Sequence, residues 1–283
     1  MNSFVLSTIP EVEVIMTVFG IPVLIGNQDL RPNLDLCKEL GLDFVELNVN
    51  LPYSFPENIS SRDLRAAIKD GMRFSVHLHD ELDLGSLQPS VRQGHLERCE
   101  EALRWGSRHG VFLINLHLNP GVYFTLPDRK VWVYERYLEE YIDSLNESFS
   151  RLSSLAESLG IRICIENTGH FALPFMRRAA ESILDLPSVG LCWDIGHDGR
   201  SGLKEEDFML SHLDKVWHMH FHDWDGKSDH QIPFTGQLPC DRYLRLAKDN
   251  EMSVLVEVKT EEAVRSAINI MRDRGCIPAL RSF

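Results

Sequence analysis

The chain is poor in paired cysteine. Its six cysteines, Cys37, Cys99, Cys164, Cys192, Cys240 and Cys276, form no CxxC and lie scattered through apolar stretches. That argues against a dithiol or zinc-knuckle motif and reads as reduced, buried thiols in a cytoplasmic protein. Long hydrophobic runs are missing too. No stretch reaches the roughly 18 apolar residues of a membrane span. Positive charge is scarce, with 29 Lys and Arg against 42 Asp and Glu, a net charge of −13. Such a field repels polyanions, which sets nucleic acid and acidic membrane surfaces aside as partners. There is no GxGxxG turn, no tandem repeat of other kinds and no Gly/Pro/Ser linker. The first residues lack the basic start of a signal peptide, and residues 1–15 read as an appended arm or an upstream start. Residues 16–283 read as one domain.

A rhythm of short apolar runs and longer helical segments is what remains. The runs at 17–26, 44–50, 73–79, 111–118, 162–167, 189–197, 216–223 and 254–259 are rich in Val, Ile and Phe and are expected to be strands. Between them, "NLDLCKELG" and "SSRDLRAAIKDG" end on glycine, and a long segment over 131–160 ends on Gly160, as helices do. Eight such βα units predict an α/β fold, a single (β/α)8 TIM barrel.

In that fold the active site gathers at the carboxyl ends of the strands. Apolar stems here run into His77 and His79, His117, Glu166, Asp194, His220 and Glu257. One histidine at a strand end is ordinarily a hydrogen-bonded packing residue. Six consecutive strands ending in imidazole or carboxylate point instead to one divalent metal ion, of the Mn, Co, Zn, Fe or Mg kind. "VWHMHFHD" puts His218, His220 and His222 on one face, at different heights. His220 is best placed for the ion, and His218 is expected deeper, bonded to a neighbouring strand. Glu46, ending the second strand, is expected to support a ligand from behind.

Together, "VHLHDELDL", "INLHLNPG", "CIENTGH", "CWDIGHDG", "HMHFHDWDG…DHQIPFTGQL" and "LVEVK" resemble the xylose-isomerase-like TIM barrels over about residues 17–275. That superfamily includes sugar-phosphate isomerases and epimerases and, more distantly, metal-dependent AP endonucleases. The resemblance implies one ion held by Glu166, Asp194, His220 and Glu257, with His197 contacting substrate. It also implies that His77 and His117 line the substrate pocket, His77 fitting better than His79, and that His230 precedes the loop glycine. Two departures stand out. Ser228 occupies the position where the endonucleases place an aspartate, with Asp229 beside it. No arginine follows the seventh-strand histidine, and Lys227 is the one cation over 221–236.

The chemistry expected is proton abstraction beside a sugar carbonyl, with Glu166 and Glu257 as the acid–base pair and an ion-stabilised enediolate. Lys227 and Trp224 would join the histidines around a sugar or sugar-like polyol ketone. The sequence alone leaves isomerase and epimerase equal. An inosose-type dehydratase on the same ion is the alternative, an AP endonuclease-like phosphodiesterase a weaker one. A pure binding protein would need no paired acid and base. A homo-oligomer is left open.

Overall fold

The computed structural model describes residues 17–278; the arm expected over 1–15 lies outside the described residues. Ten strands are present among them: β1 (Phe19–Pro22), β2 (Phe44–Asn48), β3 (Arg73–His77), β4 (Val111–His117), β5 (Tyr123–Thr125), β6 (Lys130–Trp132), β7 (Arg162–Glu166), β8 (Val189–Asp194), β9 (Val216–Phe221) and β10 (Ser253–Val256). Eight close into an all-parallel barrel in the order β1-β10-β9-β8-β7-β4-β3-β2. These are the eight runs expected from sequence. Each strand is followed by helical structure that packs on the outside, so the chain is a single (β/α)8 barrel.

Alternation sorts the side chains. On β9, Met219 and Phe221 turn outward into the helix layer, while His218 and His220 point to the axis. The helix Leu138–Leu159 buries Tyr141, Leu145, Phe149, Leu152 and Ala156, spaced three or four residues apart. Each such large apolar side chain contributes about 1.5–3 kcal/mol when fully buried. The helix stops at Gly160, whose φ of +67° suits glycine. At the closed end of the barrel Phe44 fills the axis so fully that a Cβ on Gly20 would lie 2.5 Å from its ring.

Two expectations need correction. The helical segment begins at Val133, because Val131 and Trp132 pair with Phe124 and Tyr123 in the antiparallel hairpin β5–β6. The two short β-branched and aromatic runs alternate around a Pro-Asp turn, and cross-strand pairing wins over helical propensity. The strand expected to run to 197 ends at Asp194, whose carboxylate caps the next helix, Ile195–Ser201, by accepting the His197 N–H at 2.6 Å.

Candidate metal and substrate site

The carboxyl ends of six strands meet in one polar layer. Register places His77 of β3 beside Asn115 of β4, His117 beside Glu166 of β7, and Asp194 of β8 beside His220 of β9. Glu257 follows the last residue of β10. His220 Nδ1 lies 2.9 Å from Glu257 Oε2, 3.3 Å from Glu166 Oε2 and 3.8 Å from Asp194 Oδ2. His77 and His117 flank Glu166 at 3.3 and 3.5 Å. His197 stands 3.5 Å from Asp194 and 3.7 Å from Glu166, and His230 stands 3.6 Å from Glu257. The structure thus brings together Glu166, Asp194, His220, Glu257, His77, His117, His197 and His230.

It does not bring in Lys227 or Trp224. Lys227 is exposed on the loop after β9, and Trp224 is half-buried there, its main-chain N–H given to the Asp223 carboxylate. The cation on the cluster is Lys259, whose ammonium sits on Glu257 Oε1. Sequence reading passed over it, although Lys259 shares Glu257's face by the period of two. Trp193 is fully buried against Tyr243, as core packing. His79 faces His95, away from the cluster. His218 is buried and bonded to Ser253 Oγ of β10 at 2.7 Å, the structural role expected of it.

Charge is arranged to keep the carboxylates ionised. Burial pushes Glu166 up, but His220 and His117 override it and hold the group well below the usual range. Glu257 is likewise buried, and His220 and Lys259 keep it low. At His77 burial is outweighed by Glu166, raising the imidazole to about 9. His222 shows two opposed influences. Asp194, 2.9 Å from its Nε2, favours a charged ring. Yet the His230 main-chain N–H points at His222 Nδ1 at 2.8 Å and needs a lone pair there. Geometry decides for a neutral ring with its proton on Nε2.

Support for the ligands comes from residues the sequence reading missed. Asn115 donates to Glu166. Asn167 grips the Asp194 backbone twice, accepting its N–H at 2.7 Å and donating to its C=O at 3.0 Å. Asn167 is in turn held by buried Glu205 at 2.9 Å. Asp229 joins His197, His230 and Arg200, the last at 2.8 Å. A Cβ on Gly196 would lie within 2.0 Å of the His222 ring, so only glycine lets the strand-end aspartate and this histidine meet.

The donor set fits a divalent ion. Ligands bound at about 2.0–2.2 Å stand roughly 3–3.5 Å from one another, and the spacings of 2.9, 3.3 and 3.8 Å around His220 Nδ1 bracket that range. Four buried atoms at the cluster, His220 Nδ1, Glu257 Oε2, His197 Nδ1 and His117 Nε2, have no hydrogen-bond partner. Orphaned buried polar atoms are costly, and an ion between Glu166, Asp194 and Glu257 would satisfy His220 Nδ1 and Glu257 Oε2. Glu166, Asp194 and His220 offer ligand atoms within 4.8 Å of one another. A profile of the Xylose isomerase-like TIM barrel family matches residues 34–274.

The chain belongs to this family.

An uncharacterized protein of Methanocaldococcus jannaschii is 27% identical to it over 212 residues, 73% of this chain and 76% of that one. Among solved structures, a D-tagatose 3-epimerase-like protein superposes with a TM-score of 0.71 at 20% identity, covering 91% of this chain and 96% of that chain. The IolI protein with a bound zinc atom gives 0.71 at 17% identity, covering 91% and 97%. At these identities the structures show a shared fold. Membership in the xylose isomerase-like family rests on the profile match.

Proposed function

We propose that the protein is a divalent-metal-dependent isomerase or epimerase of a sugar or sugar-like polyol ketone. The observation that carries this reading is the convergence of Glu166, Asp194, Glu257 and the unpartnered Nδ1 of His220 at one buried point. These four side chains would hold the ion. A divalent cation there stabilises negative charge developing on substrate oxygens. The names of the similar structures, an epimerase-like protein and a zinc-bound IolI protein, support the same class.

The residues divide the work. Glu166 and Glu257 come from β7 and from the end of β10 and flank the cluster. Both are held ionised, so either can begin as the base that takes the proton beside the carbonyl. The other, having first taken a proton from water, returns it to the substrate, and the base afterwards passes its own proton back to water. Return to the opposite face of the same carbon makes an epimer, and return to the neighbouring carbon interconverts aldose and ketose. His77, His117 and His197 stand around Glu166 and orient substrate hydroxyls. Lys259 and Arg200 are already paired with Glu257 and Asp229. That charge balance suits a neutral polyol better than a phosphate ester. Because Arg200 engages Asp229, this carboxylate is also a poor third-metal ligand, which disfavours the phosphodiesterase alternative.

The test is proton exchange in heavy water. Metal-loaded protein is incubated with a panel of unphosphorylated ketoses, and deuterium incorporation is followed by NMR. Incorporation beside the carbonyl with wild type, and its loss in Glu166→Gln, is the expected result. Full exchange in Glu166→Gln with metal still bound would refute the acid–base assignment. A new enone absorbance in the ultraviolet would move the reaction to dehydration.

A further inference from the structure

One layer beneath the cluster, β2 sends Glu46 to the barrel axis, where it is 2% exposed. Its Oε1 lies 3.4 Å from His220 Nε2, the nitrogen facing away from the cluster. Its Oε2 lies 3.4 Å from His218 Nε2 and accepts the Ser75 hydroxyl at 2.9 Å. His218 is itself tied to Ser253. The Ser75 hydroxyl thus holds one oxygen of the carboxylate and leaves the other facing His220.

A neutral imidazole carries one proton, and only the bare nitrogen can bind a cation. At His220 the choice matters. Nδ1 faces Glu257, Glu166 and Asp194, three carboxylates that would each attract a proton to it. On the Nε2 side the neighbours are Glu46 and the amide nitrogen of Asn115, the latter at 3.4 Å. Asn115 gives one amide hydrogen to Glu166 and stands against the ring only through a long 3.4 Å contact. The Cys192 sulfur also stands beside His220 but is a weak acceptor, so Glu46 is the charged acceptor within reach of an Nε2 proton, and a charged acceptor is the stronger one.

Resting on the metal-site reading above, we propose that Glu46 is a positioning residue for the ion. It keeps the His220 proton on Nε2 and fixes the ring plane, so that Nδ1 presents its lone pair to the cluster. Glu46 touches neither the ion nor the substrate. Its effect reaches the site through the ring, as carboxylate–histidine pairs behind metals generally do.

Zinc binding by the metal-stripped protein, measured in competition with a chromogenic chelator, tests this without any substrate. Wild type is expected to take one tight equivalent. Glu46→Gln keeps the shape of the side chain and removes its charge. It is expected to keep the stoichiometry and the circular dichroism spectrum while losing about 10- to 100-fold in affinity. Glu46→Asp, charged but shorter, should fall between the two. Equal affinity in wild type and Glu46→Gln, within twofold, overturns the inference and leaves the site intact. Absence of zinc from the wild type overturns the site reading itself. Long-range ¹⁵N NMR of the zinc-loaded wild type serves where Glu46→Gln does not fold. An ion on Nδ1 with a downfield, slowly exchanging Nε2 proton supports the assignment; an ion on Nε2 contradicts it.

Discussion

At the scale of single residues the cluster is built by close approach, and small changes should register strongly. Gly196 is the sharpest case, because a methyl there would overlap the His222 ring. Gly196→Ala is expected to cost about 1–3 kcal/mol in urea unfolding, the usual range for overpacking. It should also weaken zinc binding by displacing Asp194. Unchanged stability together with unchanged affinity would show that the ring has room to move. Asp198 offers a pH prediction. Burial pushes its carboxyl up to about 6, despite the N–H of Glu205 and the indole N–H of Trp193 that it accepts. Its pKa is therefore higher folded than unfolded, so its protonation favours folding below about pH 4. That contribution fades as pH rises through 6. Relative to wild type, Asp198→Asn should become less destabilising between pH 4 and 8, by about 2–3 kcal/mol. Parallel denaturation curves at the two pH values read this directly, and a pH-independent difference would contradict it.

At the scale of elements, the parallel barrel strands were legible because both their faces are buried and they read as apolar runs. The ligand-bearing ends stood out for the complementary reason, that a carboxylate or imidazole closing such a run is conspicuous. The hairpin β5–β6 was not legible. Its strands are three residues each, and the second merges into a helical pattern. Asn115 and Asn167 escaped for another reason. Asparagine is common in turns, and what gives these two a role is the hydrogen bonds they make to Glu166 and Asp194 across neighbouring segments. Lys259 was readable from the period of two but was eclipsed by Lys227, which sits nearer in sequence to the histidine strand. A control at this scale is Thr260, whose hydroxyl caps the helix Glu261–Asp273 by accepting the Ala263 N–H at 3.2 Å. Thr260→Ala should lower stability by about 1 kcal/mol in thermal unfolding, with zinc affinity unchanged. Loss of zinc in that variant would mean that the helix start also sets the position of Glu257.

For the molecule as a whole, the barrel collects charges that could not coexist at one point in an empty core. Glu166, Asp194, Glu257 and Glu46 are all nearly or fully buried, and histidines interleave them. Such an assembly is expensive unless paired, and a divalent ion completes the pairing where His220 Nδ1 and Glu257 Oε2 lack partners. Metal removal should therefore lower the melting temperature of the whole domain, since ligands that bind only the folded state stabilise it. Differential scanning calorimetry with and without chelator measures this, and identical melting curves would count against it. The most direct measurement is metal content by mass spectrometry. Wild type purified without added metal is set beside the triple variant Glu166→Ala, Asp194→Ala, Glu257→Ala. The account predicts about one Mn, Co, Fe or Zn per wild-type chain and none in the variant. A folded wild type that holds no metal even after reconstitution would contradict it.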